Sequence, residues 1–377
     1  MSSLRVAFVD QCGAQMGGAE QMMATVISRA PAPLVPSAIL FEDGAFADRL
    51  RALGAQVDVV PVPRAIGAST RERLRIGGAL RIPDVALRVA RLLRLQRADV
   101  VYTNSMKAHL VGAVAARAAG LPCVMHFHDL PEGLALRALR TAAVLGSRER
   151  LACSHLVRER VGLGATTVVY APVELERFAS LPSRAQARAT LGIPTGVPLV
   201  TLAGRINRWK GHDRFLRIAA LVRRTVPAHF AIVGAPVFRD EDYVDELHAL
   251  TDSLGLREHV TFVPWLDEIA TAYAASDVNC NCSTAEPFGM TAIEAAACGV
   301  PTVCFNDSGI AEAIAGADGG CAVPAGDETA FAAAIAAYLQ DPAARLSAGE
   351  AARATSHRFE AGRFATEVGA VIRRAAA

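Results

Sequence analysis

Glu286-Pro-Phe-Gly-Met-Thr-Ala-Ile-Glu294 sets two carboxylates on either side of seven residues. Pro287 and Gly289 interrupt the chain just after the first carboxylate, and Met290 opens an alanine-rich run suited to a helix. Glycine permits a tight approach, and proline is tolerated before or in a first helical turn. Glu286 is therefore expected on a loop and Glu294 about one turn into a helix. The peptide N–H groups of Gly289, Met290 and Thr291 then point out of the helix N-terminus, where free donors and the helix dipole attract phosphate. Carboxylates for hydroxyls beside a positive pole for an anion suit a sugar carried on a nucleoside diphosphate. Two Glu at this spacing also arise by chance on a solvated helix face, so the companions of the stretch decide its meaning.

Upstream, Pro198-Leu-Val-Thr-Leu-Ala-Gly204 reads as a buried strand. It runs into Gly204-Arg-Ile-Asn-Arg-Trp-Lys-Gly211, with a helix expected from near His212. Arg205 and Lys210 straddle this loop. An Arg offers phosphate a bidentate fork and a Lys adds a mobile point charge. Lys and Arg total 39, yet Lys107 and Lys210 are the only lysines. Keeping Lys in a chain that otherwise uses Arg points to a compact ammonium with a task.

The N-terminal half repeats strand and helix patterns. Leu4–Asp10 reads as a buried strand, followed by a glycine-bearing loop, Gln11–Glu20, and a helix through Ala30. Gly17-Gly18 is either a plain turn or a loop that lets the backbone approach a phosphate or sugar. Thr103-Asn-Ser-Met-Lys107 follows another strand, so Lys107 is expected toward a ligand crevice, while Asn104 and Ser105 also suit helix caps. Val124-Met-His-Phe-His-Asp129 ends a further strand; His126 and His128 share one face of it, without an evident third metal ligand. Strands alternating with helices predict parallel sheets flanked by helices.

Length and composition bound the rest. A chain of 377 residues, 52% hydrophobic, suits about two domains. A formal net charge of +2 is too balanced for a nucleic-acid binder. The eight cysteines form no Cys-x-x-Cys, which indicates reduced thiols, a cytoplasmic setting and neither zinc nor a disulfide framework. Neither a signal peptide nor a membrane span is expected. Between Arg64 and Arg97 stand nine Arg against two acids, either a solvated helix face or a contact with anionic lipid or an anionic acceptor.

Taken together, the Glu-seven-residues-Glu stretch and the Gly-Arg-x4-Lys-Gly loop resemble the signatures of retaining nucleotide-sugar glycosyltransferases of family four, which have the GT-B fold. Gly-Gly-Ala-Glu20 resembles that family's N-terminal loop beside the donor phosphates, and His128-Asp129 resembles its histidine contacting the transferred sugar. Val168–Phe178 resembles its crossover between domains, but Ala171, Pro172 and Glu174 replace parts of the usual Asn-Gly-Val-Asp. The resemblance implies an α/β chain of two Rossmann-like domains facing across a cleft. Residues 1–173 would form the acceptor domain and 174–355 the donor domain, with 356–377 a helix crossing back. It implies glycosyl transfer from a nucleoside-diphosphate sugar, most readily a UDP-sugar, to a hydroxyl of a small-molecule, natural-product or glycoconjugate acceptor. Arg205 and Lys210 would neutralise the departing diphosphate in place of a metal, with Gly17, Gly18 and the Gly289–Thr291 helix end also at the donor. Glu286 and His128 would meet the sugar and Glu294 the ribose. No cofactor beyond the nucleotide-sugar co-substrate is implied. On this reading Glu294→Gln chiefly raises the donor KM, and Glu286→Gln lowers kcat without changing affinity for free diphosphate. A nucleotide-sugar epimerase or a non-catalytic sugar-nucleotide-binding GT-B protein is the alternative. A pyridoxal-phosphate phosphorylase of the same fold would need a Schiff-base lysine, and Lys210 already lies in the phosphate loop.

Overall fold

In the computed structural model, which describes residues 3–13, 17–31, 34–63, 81–236, 241–314 and 318–377, the chain divides into two compact units. One comprises Met1–Pro172 with Ala361–Ala377, the other Val173–Glu360.

The first unit is built on β1 (Leu4–Asp10), β2 (Leu34–Leu40), β3 (Gln56–Val59), β4 (Val100–Thr103), β5 (Cys123–Phe127), β6 (Glu149–Ala152) and β7 (Thr166–Val168). All pair in parallel, in the order β3-β2-β1-β4-β5-β6-β7. Strands covered on both faces read as continuous apolar runs. Val6–Val9 and Val100–Tyr102 accordingly have no exposed surface. The winding reverses between β1 and β4, and the C-terminal ends of two such strands leave a crevice that no crossover closes. The helices Ile82–Leu95, Met106–Ala119 and Gly133–Gly146 pack side by side. The helix Ala361–Ala376 returns from the far end of the sequence onto the helix Gly18–Arg29 and onto β4, β5 and β6. It buries Phe364, Val368, Val371 and Ile372 there. Of the arginine-rich stretch, residues 64–80 lie outside the described residues; Arg81, Arg88, Arg91, Arg94 and Arg97 are exposed.

The second unit is built on β8 (Leu199–Ala203), β9 (His229–Val233), β10 (Val260–Val263), β11 (Val278–Asn281), β12 (Thr302–Phe305) and β13 (Gly320–Val323). These are also parallel, in the order β10-β9-β8-β11-β12-β13. Here the winding reverses between β8 and β11. One core packs Phe215 against Phe230 and Phe305 against Phe331, with ring centroids 5.9 and 4.9 Å apart. At the N-terminal end of β11, away from the reversal's open end, the buried Arg188 ties the helix Arg184–Leu191 to the sheet. Its guanidinium donates to the carbonyls of Pro194, Thr195, Val197 and Ala275 and to the Asp277 carboxylate. Satisfying the fork with this many acceptors is what makes a buried cation tolerable.

Candidate active site

In the second unit the two loops singled out in the sequence leave neighbouring strands. Gly204–Gly211 follows β8, Ser283–Gly289 follows β11, and β8 lies next to β11. The loops are clamped together. The Thr284 N–H donates to the Trp209 carbonyl at 2.9 Å. Gly211, at φ 72°, lies so close to Cys282 that a Cβ would stand 2.2 Å from the Cys282 carbonyl oxygen. Only glycine supplies both the left-handed turn and that approach.

This clamp brings Lys210 and Glu286 into contact. The Lys210 ammonium donates to Glu286 Oε2 at 2.6 Å, with only 12% and 7% of the two side chains exposed. Lys210 Nζ also lies 4.2 Å from the centre of the Trp209 ring. The Ser283 hydroxyl donates to the same oxygen, Oε2, at 2.9 Å. Glu286 Oε1 has no hydrogen-bond partner among the described residues. Arg205 is half-buried, and no acceptor or acid engages its guanidinium among the described residues. Arg208, by contrast, is committed to Glu246 through two hydrogen bonds of 2.9 and 2.6 Å.

The helix Met290–Ala297 starts at Gly289, which takes φ 90° and packs against Ile310 so tightly that a Cβ would lie 2.1 Å from it. The first N–H groups of the helix emerge at this end. Glu294 sits one turn in and is half-buried. Burial raises its carboxyl pKa, and the charges of Arg177 and Lys210 act against that rise. Arg177 belongs to this electrostatic set and carries no sequence signal beyond its charge.

In the first unit the candidates gather at the β1–β4 reversal. The Gly17 N–H, at the start of the helix Gly18–Arg29, donates to Glu20 Oε2 at 2.8 Å, so a carboxylate from within the chain already stands at this helix end. His128, after β5, is 8% exposed. Its Nε2 meets Asn104 Oδ1 at 2.9 Å, while Asn104 Nδ2 donates to Asp10 Oδ2 at 2.7 Å and to the Ala19 carbonyl at 2.9 Å. Because the Asn104 amide donates to Asp10, its oxygen faces the histidine, and His128 carries its proton on Nε2. Burial, reinforced by His126 and His109, holds the His128 pKa well below the ordinary histidine range. Asn104 is not the cap, since Ser105 stands at the N-cap of the helix Met106–Ala119; its buried amide instead joins three strand ends. His126 lies deeper, its Nδ1 2.5 Å from the Tyr102 hydroxyl and its ring stacked on Phe364. Lys107 is half-buried, and burial lowers its pKa.

Among the described residues no three His, Cys, Asp or Glu side chains gather as a metal site. No helix of the described residues is long and apolar enough to cross a membrane. The sequence does contain one Asp-x-Asp spacing, Asp240-Glu-Asp242. Asp240 lies outside the described residues, and the helix Glu241–Ser253 follows it.

Residues 45–177 match the family profile described as Glycosyltransferase Family 4, and 183–355 the one described as Glycosyl transferases group 1. Over 355 residues the chain is 31% identical to D-inositol 3-phosphate glycosyltransferase 1 of Catenulispora acidiphila, covering 86% of this chain and 79% of that one. The chain belongs to glycosyltransferase family four. A second relative, the D-inositol 3-phosphate glycosyltransferase of Kineococcus radiotolerans, is 31% identical to this glycosyltransferase over 312 residues, 74% of this chain and 72% of that one. Among solved structures, Anabaena HepE in complex with UDP-glucose superposes with a TM-score of 0.84 at 25% identity, covering 98% of this chain and 100% of that one. Sucrose-phosphate synthase from Thermosynechococcus elongatus shares the fold at a TM-score of 0.81 and 20% identity, each chain covered to 98%. The glycosyltransferase thus has the GT-B α/β fold.

Proposed function

We propose that this glycosyltransferase moves a sugar from a UDP-sugar to an acceptor hydroxyl with retention at the anomeric carbon and without a required metal. The second unit holds the donor and the first the acceptor. The observation that carries the reading is the meeting of Lys210 and Glu286 where β8 and β11 diverge, with the unengaged Arg205 on the same loop. Cleaving the bond from C1 to the diphosphate oxygen builds positive charge on the sugar and negative charge on the leaving group. Arg205, Lys210 and the helix end at Gly289, Met290 and Thr291 face the negative side. Positioned charge of this kind, shielded from water, is the largest single source of rate in many enzymes. Glu286 Oε1 accepts from a sugar hydroxyl, Glu294 from the ribose, and His128 orients the transferred sugar.

UDP is chosen because HepE, alike over nearly its whole length, has been crystallised with UDP-glucose. The acceptor is a small polyol or glycoconjugate intermediate; the cyclitol phosphate in the names of the relatives is the first to test. None of the described cysteines forms a disulfide, which suits a cytoplasmic setting. The test is UDP release from UDP-sugars with and without D-inositol 3-phosphate and a panel of soluble glycosides, with proton NMR of the product anomer. Release that needs an acceptor, giving the anomer of the donor, is expected. Turnover of donor to an isomeric nucleotide sugar without acceptor would instead identify an epimerase.

A further inference from the structure

Glu286 has two carboxylate oxygens, and the structure treats them differently. Oε2 accepts from both the Lys210 ammonium at 2.6 Å and the Ser283 hydroxyl at 2.9 Å, whereas Oε1 accepts from neither. Lys210 approaches from a long, flexible stem and has its own role at the diphosphate. A contact from it alone leaves the carboxylate free to rotate about its last bond, a broad torsion. Ser283 is placed otherwise. It is 2% exposed, and its own N–H donates to Asn281 Oδ1 at 3.0 Å. Asn281 is the last residue of β11, so the sheet itself sets the serine. Ala285 then takes φ 52°, a left-handed turn that non-glycine residues rarely adopt, and returns the chain so that Glu286 meets the serine three residues earlier. The Gly309 N–H donates to the Glu286 carbonyl at 2.9 Å and fixes the backbone from the other side.

We infer that Ser283 is a positioning residue for the transfer: its hydroxyl locks the Glu286 carboxylate so that Oε1 is presented to the transferred sugar while Lys210 is shared between Oε2 and the diphosphate. The inference rests on the reading of Glu286 as the carboxylate that meets the sugar. It assigns a task to a residue that otherwise reads as a strand-end serine. It also gives the left-handed turn at Ala285 a task, because that turn returns Glu286 to the hydroxyl three residues earlier.

The test compares Ser283→Ala, Ser283→Cys, Ser283→Thr and Glu286→Gln, each alone, with Ser283→Ala/Glu286→Gln as the double variant, in the full chain. Ser283→Cys keeps the volume with a weak donor, so a folded comparator exists should the alanine variant unfold. Expected is a kcat lower by about ten- to a hundredfold for Ala and Cys, since small misplacements of a reacting group cost that much. Affinity for free UDP by calorimetry should stay within about twofold for both, because Lys210 keeps its partner, and Ser283→Thr should recover most of the rate. Adding Ser283→Ala to Glu286→Gln should cost little more than Glu286→Gln alone, as befits residues acting as a unit. Wild-type kcat in a folded Cys or Ala variant, or losses that simply multiply in the double variant, would overturn the positioning role while leaving Glu286 in place. Wild-type kcat in Glu286→Gln would remove the underlying reading instead.

Discussion

Replacing Glu286 with glutamine should tighten the binding of free UDP while slowing transfer. From the sequence by itself nearly unchanged affinity is expected, because nothing in it shows that Glu286 touches Lys210. In the structure the pair is 2.6 Å apart, with side chains 12% and 7% exposed. At an effective dielectric of about 20 the bare attraction at that distance is about 6 kcal/mol. Desolvation of both groups offsets most of it, and coupling between contacting residues typically comes to about 0.5–3 kcal/mol. A diphosphate arriving at the loop competes with Glu286 for the ammonium and is also repelled by the carboxylate. Removing the charge but keeping the shape relieves both, and a gain of about 1–2 kcal/mol is about five- to thirtyfold in Kd. The assay is calorimetry of UDP against wild type, Glu286→Gln, Lys210→Ala and the double variant at two ionic strengths, with kcat measured on the same preparations. Unchanged or weaker UDP binding by Glu286→Gln would refute the reasoning. So would a gain that survives when Lys210 is absent, for it would then owe nothing to the pair.

Arg205→Ala should lower kcat by about a hundredfold, the usual cost of one lost transition-state contact, and weaken UDP binding; a folded variant with wild-type rates would remove Arg205 from the diphosphate. Glu294→Gln should chiefly raise the donor KM and weaken UDP binding with kcat little changed, read from initial rates over a range of donor. Transfer should persist in EDTA; full loss restored by manganese would overturn the metal-free mechanism and direct attention to Asp240-Glu-Asp242. Acid should destabilise the first unit: burial lowers the pKa of His109 and of His126 to about 3, so both are neutral when folded, whereas the unfolded chain takes up these protons below its ordinary histidine pKa of about 6.5. The stabilisation is fully present above that pH and falls by up to about 1.4 kcal/mol per pH unit for each histidine as the pH drops toward 3. Urea midpoints that stay level from pH 6.5 to 4 would contradict it.

What could be read in the sequence was local. The apolar runs of β1, β8 and β9 announce strands buried on both faces, and the spacing of Glu286, Gly289 and Glu294 announces a loop entering a helix. Lys210 stood out because the chain has almost no other lysine. What the sequence concealed depends on strand order. Lys210 and Glu286 are 76 residues apart, and they meet only because β11 pairs with β8 while β9 and β10 lie on the other side. No periodicity reports which strand a loop will neighbour. Asn104 shows the same limit from another side: its position after β4 suits a cap, but its buried amide is engaged by Asp10 and by His128, from β1 and beyond β5. At Gly17 the partner is local: its N–H donates to Glu20, three residues on, as the start of a helix allows.

The helix Ala361–Ala376 covers part of the first sheet, yet it is synthesised only after every strand of the second. On the ribosome, therefore, the first unit emerges with the seat of Phe364, Val368, Val371 and Ile372 uncovered, while the second can finish its core earlier. The unit that begins first is the one that matures last. During that interval its apolar seat beside His126 is the surface a chaperone would have to shield. A chain cut at residue 360 would keep the exposed state permanently, so such truncations should be recovered as aggregates although every loop of the candidate active site is still encoded.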